Sequence, residues 1–486
     1  MSWVNKLTKQ LVAAVTGALA LGLAAGAATA GYRADRQAPE FIAAPRAEVP
    51  HTDGAIVCTG GVIRAVQGGI NVSDVDEAIT GWAGAYSSHS AAAKPLGGGS
   101  DTDGAPTSAE FTGVLPADAL HTSDLGVPAL TGAIHTGGTV VTGANTHSAA
   151  AGDLRGVSVN PCQWPANTVW LVGGASDVGS SLRVTIANPG KTPITVDMTA
   201  LSSRGILDLG ANSQVVLAPE STQSVVLDGL IPADPRIALR LASAGGAFSA
   251  TMQTATLEGV TPAGIDTITQ SEAGTKLVIP GLVINAAAGQ EDSTLPDPAY
   301  SATLRVVNPN DEPATVSVGV RGTGGTEPLT GGTDVVVAAQ SVLDLSLDGI
   351  APGAYAIDVT ANRGVTAAVN VTRTDEAGKD VAWLAATEPV SGTGAAAFGP
   401  LPASLVLVGQ QATWIAYDDA GNELTREQVT IDGTTVVQMP EQAAFVSVDA
   451  DDVYASLWIT TEHGIASVPL IQDMSASSSV RLTVGN

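Results

Sequence analysis

The sequence predicts a mainly β protein, built from tandem antiparallel β-sandwich units of immunoglobulin or fibronectin type III character behind an N-terminal signal or membrane anchor. Three observations carry that prediction. Three stretches repeat one another: 215-VVLAPESTQSVVLDGL-230, 335-VVVAAQSVLDLSLDGI-350 and 436-VVQMPEQAAFVSVDA-450. The first two are offset by 120 residues and the third lies 101 further on, so one structural unit is used several times. Apolar and polar residues alternate inside the repeats. In 304-LRVVNPNDEPATVSVGV-320, Thr315, Ser317 and Gly319 interleave with Val316, Val318 and Val320, the period of a strand with one face buried. Finally, 55 Gly and 27 Pro suit many short strands and turns, and no stretch beyond the N-terminus has a long helical period.

The first element is a targeting segment. Lys6 and Lys9 precede the uncharged run 11-LVAAVTGALALGLAAGAATA-30, which ends in Ala28-Thr29-Ala30. A basic start, an apolar stretch and small residues define a secretory signal, and a run of 20 residues is also long enough to stay in a membrane as an anchor. In both cases the lysines hold the start inside and put the remainder outside the cytoplasm. Residues 31–50, rich in Ala, Pro and charge, read as a linker.

Residues 51–165 form a first β-rich unit with low-complexity loops such as 91-AAAKPLGGGSDTDGAPTSAE-110. Its strands are 55-AIVCTGGVI-63 and 137-GGTVVTGA-144. The chain's two cysteines, Cys58 and Cys162, both lie here, and an even count in an exported chain predicts one disulfide. Closing a loop of about 100 residues stabilises by roughly 4–5 kcal/mol in the chain-entropy description.

Three repeats follow, over 166–275, 276–380 and 381–486. The segments 186-IANPGKTPITVDM-198 and 306-VVNPNDEPATVSV-318 share Asn188/Asn308, Pro189/Pro309 and Pro193/Pro313, a turn between two strands. The units end in 239-LRLASAGGAFSA-250, 357-IDVTANRGVTAA-368 and 457-LWITTEHGIASV-468, where Gly246, Gly364 and Gly464 suit tight hairpin turns. Trp170-Leu171 and Trp383-Leu384 mark the starts of the first and third repeats.

The layout resembles a family of actinobacterial envelope proteins, membrane-anchored or secreted, classed as a domain of unknown function. The residues that carry the resemblance are the early Cys58, the opening 170-WLVGG-174, the strand pair 183-RVTIANPGKTPITVDM-198 and the turn 362-NRGV-365. It implies an envelope location, a β fold and a role in envelope or surface-glycan assembly, and it brings no catalytic residues.

A net charge of −26 repels phosphate backbones and anionic headgroups, which argues against nucleic-acid binding. Five of six histidines, His51, His89, His121, His135 and His147, fall in the first unit. Their spacing lacks the close pairs of a zinc site, so they read as loop histidines. Asp228, Asp348 and Asp449 recur and could ligate calcium, as could Asp451 with Asp452 or Asp418 with Asp419 and Asn422. None follows a calcium-loop pattern, and turn capping accounts for them. Trp82 beside Tyr86 is the candidate aromatic platform for a glycan. Trp170, Trp383, Trp414 and Trp458 lie on predicted strands and read as core.

No catalytic, cofactor-binding or metal residue is nominated, and no cofactor is expected. The expected function is a non-enzymatic, envelope-associated structural or interaction protein. Its partner would be an envelope protein or a glycan, with membrane contact through the N-terminal segment only. The alternative is a carbohydrate-active enzyme or accessory factor for surface-glycan assembly, with its site in 51–165.

Overall fold

A computed structural model of the chain describes residues 46–48, 54–63, 79–96, 109–115, 127–132, 140–284, 299–376, 378–472 and 479–481. The predicted signal or anchor of residues 1–30, along with His51, His121 and His135, lies outside the described residues. Two bodies are present. One contains the antiparallel pair Arg46–Glu48 and Ser479–Arg481, and the other, built of four modules, spans 51–477.

The mainly β prediction holds. Strands dominate, the strand pairs are antiparallel, and among the described residues the one helical element is the 3-10 turn Gly210–Ser213. No helix among them is long and apolar enough to cross a membrane. The first module of the larger body is a six-stranded sheet that runs from Gly54–Val57 to Gly156–Pro161. Cys58 and Cys162, just beyond those two strands, are joined in the predicted disulfide, and Val57 pairs with Gln163 beside it.

The second module has two layers. Thr168–Val172, Ile194–Ser202, Gly205–Leu207, Gln214–Leu217 and Ile237–Ser243 make one sheet. Ser180–Asn188, Ser221–Val226, Ser249–Glu258 and Thr261–Ile268 make the other. Alternation explains the layering: Ile194, Val196 and Met198 are buried while Thr195 and Asp197 face solvent. The inward residues share one core with Val184, Ile186, Leu239, Phe248 and Met252. The Asn-Pro turn is a repeated device. Asn188 donates to the carbonyls of Thr192 and Ala218 and accepts from the Gly190 amide. Asn308 does the same with Glu312, Ala338 and Asn310.

The third module departs from the second despite the shared sequence. Gly353–Asp375 is one continuous strand of 23 residues in an eight-stranded sheet. Gly364, expected in a hairpin, therefore lies inside a strand. Gly378–Ala385 pairs with the same strand, Ala368 opposite Ala385 through Asp375 opposite Gly378. Trp383-Leu384 thus closes the third module instead of opening the fourth, and the expected boundary at 380/381 falls within a strand.

The fourth module is a six-stranded sheet around Ala403–Asp418, which pairs with Glu423–Gln438 on one side and Ala443–Thr460 on the other. Here the sequence repeat misleads. In the first two copies the turns at 218–220 and 338–340 carry the chain between partners on separate strands. The strands flanking 439–442 both pair with Ala403–Asp418. Asp449 consequently sits mid-strand opposite Thr393 and Thr413, and is not equivalent to Asp228 or Asp348. Gly464 lies in a hairpin turn, as expected, between Ala443–Thr460 and Ile465–Pro469, which pair with each other, whereas Gly246 connects strands of two different sheets.

The modules do not stand as separate sandwiches. Each contributes an edge strand, Gly156–Pro161, Thr261–Ile268, Gly378–Ala385 and Ile465–Pro469, to a common centre, giving a propeller-like arrangement. Isolated sequence repeats predict the sheets but not this convergence, which unites residues 309 positions apart (Gly156 to Ile465).

Candidate functional site

The centre of the body is polar. Asp380 is 2% exposed, and its carboxylate accepts the amides of Val157 (3.1 Å), Ile265 (3.2 Å) and Ile465 (2.9 Å). These residues lie on the other three central strands, Gly156–Pro161, Thr261–Ile268 and Ile465–Pro469. Val157, Ile265 and Ile465 each follow a glycine, and at the corresponding place in the third module stands Asp380, followed by Val381. A Cβ on Gly156 or Gly464 would overlap the Asp380 carboxylate, and one on Gly264 would press on the Val381 amide. Two glycines therefore make room for the aspartate and a third for the Val381 that follows it. Burial raises its pKa to about 7 against the opposing pull of those amides.

Asp266, also buried, accepts the Trp383 amide at 2.6 Å and its neighbour Thr267 at 2.8 Å. Burial holds it well above the ordinary carboxylate range, and Asp380 adds to the effect. Both aspartates have backbone partners, so chemically this hub joins strands.

A second staple lies beside it. Arg305 forms a two-pronged ion pair with Asp344 (2.9 and 3.0 Å). It also donates to the carbonyls of Gly174, Ile237 and Pro235 in the second module. Its guanidinium lies 4.9 Å from the Trp383 ring centroid, a cation–π contact.

Solvent enters elsewhere, in a cleft of about 990 Å3 between the third and fourth modules. One wall is a sheet face on which Lys276, Thr360 and Ser317 stand in register, and Val278, Asp358 and Gly319 form the next row. Arg321 grips Asp358 with bonds of 2.6 and 3.0 Å, and Thr326 donates to the same carboxylate. The other wall carries Gly409, Gln410, Asp451, Asp452 and Tyr454. Burial lifts the Tyr454 hydroxyl above its ordinary range, with Asp452 contributing, so it is a donor at neutral pH.

The ladder is interrupted in this second wall. Val408 pairs with Tyr454 and Ala412 with Ala450, leaving 409–411 and 451–453 unmatched between them. Asp452 is also the extra residue where Val390 pairs with Val453 and Ser391 with Asp451. It has φ +61°, a left-handed conformation that Asp tolerates better than most residues. Bulges of this kind re-aim side chains at functional surfaces.

The residues singled out by sequence fare unevenly. His147 is buried, with Nε2 2.9 Å from the Leu154 carbonyl oxygen; it is not a loop histidine. His89 lies on the strand Ile79–Leu96. Among the described residues no group of three or more His, Cys, Asp or Glu is placed to hold a metal ion. Asp418 caps its own turn through Ala420 and Asn422, as turn chemistry predicts, whereas Asp228 accepts the amide of Leu182, on a different strand, instead of capping its own turn. Trp82 and Tyr86 form no open platform: Trp82 meets Phe445 edge-on and Tyr86 stacks on Tyr417 at 4.7 Å, packed against the fourth module. Trp170, Trp414 and Trp458 are core, as expected, and Trp383 is partly buried. Sequence reading missed Asp380, Asp266, Arg305 and the cleft, although it singled out Asp451 and Asp452 of the cleft wall as candidate calcium ligands. The only trace of the hub is a glycine or aspartate before Val or Ile, a signal too short to find alone.

Residues 119–441, which supply most of the hub and most of the cleft, match a family of unknown function, DUF5719. That is more than half of the chain, and the protein belongs to this family. No curated protein matches it.

Proposed function

We propose that the chain is an exported, envelope-associated structural or interaction protein that performs no catalysis. It would be secreted or membrane-held through its N-terminal segment. Its Ala-, Gly- and Val-rich, Lys-poor composition favours an actinobacterial envelope as the setting, and the two-layer second module is the best candidate for an immunoglobulin- or fibronectin-like unit. The observation that carries the reading is a division of labour: buried groups of four modules are spent on one another at Asp380, while an open cleft keeps unpaired polar groups at the surface. A rigid scaffold that presents a recognition face is built this way. The Cys58–Cys162 disulfide supports an oxidising compartment.

Protease digestion of intact cells, fractionation and a pull-down from envelope fractions with the full chain test the proposal. Surface accessibility and a reproducible envelope partner are expected. A cytosolic chain with reduced thiols overturns it. Turnover of envelope glycans, abolished by changes within 51–165, would establish the enzymatic alternative.

A further inference from the structure

We infer that the cleft between the third and fourth modules is a binding site for a neutral oligosaccharide; the inference deepens the interaction reading above and rests on it for the compartment alone. Unpaired groups of both kinds meet there. Among the described residues the side chains of Asp451, Asp452, Lys276 and Gln410 make no ion pair or hydrogen bond, although all four line the cleft. Carboxylates are acceptors only, an ammonium is a donor only, and an amide is both. A sugar matches such a set because each hydroxyl donates and accepts, and neighbouring hydroxyls can share one carboxylate. Ser317, Thr326, Thr333 and Thr360 add hydroxyls to the walls, and Tyr454 supplies a ring edge or face for the apolar side of a pyranose.

Size and charge narrow the class further. About 990 Å3 is at the top of the range for small-ligand sites, which suits several linked rings better than one. The chain's net charge of −26 and the two unpaired aspartates disfavour an anionic polymer. A peptide added as an extra strand needs an exposed sheet edge, whereas Ser317–Arg321 and Asp358–Thr360 lie on internal strands of the sheet. The backbone interruption at 409–411 and 451–453 is also accounted for, since it carries Gln410, Asp451 and Asp452 out of the regular pleat.

The test is calorimetric titration of the full chain with neutral hexasaccharides of glucose, mannose, galactose and arabinose, with a sulfated hexasaccharide as the anionic control. At least one neutral probe should bind and the sulfated one should not. A double variant, Asp451→Asn with Asp452→Asn, should weaken binding about tenfold or more, the scale of losing charge-assisted hydrogen bonds. Its melting temperature should not move, because both side chains are exposed and Asn tolerates the left-handed backbone at 452. Asp449→Asn, mid-strand and outside the cleft, should bind as the parent does. Failure of every neutral probe, binding of the sulfated probe alone, or full affinity in the double variant overturns the inference. Fractionation is read separately: a cytoplasmic chain that binds a saccharide keeps the site and loses the envelope role, and an envelope chain without affinity does the reverse.

Discussion

The hub and the cleft are each organised by aspartates, and they use them in opposite ways. Asp380 is buried and takes backbone amides from three other modules. Asp358 in the cleft is paired with Arg321 at a partly open surface, and the Asp451 and Asp452 side chains make no hydrogen bond or ion pair among the described residues. Removing a partner from a buried charge costs several kcal/mol, while an exposed ion pair contributes about 1 kcal/mol or less. The contrast teaches that carboxylates in the hub are fixed for stability and those in the cleft remain available for a ligand.

The sharpest way to break that contrast is Asp380→Asn. The amide nitrogen would face backbone amides that need an acceptor, so stability should fall by about 3–5 kcal/mol. Urea unfolding measures it, and a loss below about 1 kcal/mol would remove Asp380 as the joint. Arg305→Met keeps the stem but orphans Asp344 and three carbonyls of the second module. A loss of about 2–4 kcal/mol is expected by the same measurement.

Stability should also depend on pH through the hub. Burial lifts the folded-state pKa of Asp380 to about 7, above its ordinary value. Its stabilising contribution is therefore complete below the unfolded value, near 4, and is lost as pH rises towards 7. Glu272, raised to about 7 by burial and then by Glu388, acts with the same sign. From pH 5 to pH 8 Asp380 alone accounts for a drop on the order of 2–3 kcal/mol. Calorimetry should show a lower melting temperature at pH 8 than at pH 5, with a smaller difference in Asp380→Asn; an opposite slope would count against a buried, proton-binding hub. The smallest effect is expected in the cleft. Arg321→Gln should cost about 1 kcal/mol or less, and a loss as large as that of Arg305→Met would erase the distinction between the two regions.

Much of the local structure was legible. The alternation at 194–202, the Asn188 and Asn308 turns and the pairing of Cys58 with Cys162 all follow from residue chemistry over short or unique spacings. The third repeat was misread because 436–450 shares composition with its fellows but not pairing, and composition sets a strand's faces without choosing its neighbours. The cleft and the hub were hidden for a related reason. Asp380 resembles any other polar residue on a strand until Gly156 and Gly464 are brought against it, and Trp82 and Tyr86 look available until Phe445 and Tyr417 cover them.

The sequence by itself determined that the chain is made of antiparallel strands, where the Asn-Pro turns fall, and which cysteines bond. Those properties depend on side-chain period, backbone preference and a count of two. Only the tertiary structure decided that four modules share one centre, which aspartates are buried and which stay open, and where a ligand could enter. Such features arise from contacts between residues far apart in sequence, whose environment, and hence whose charge and availability, exists only after folding.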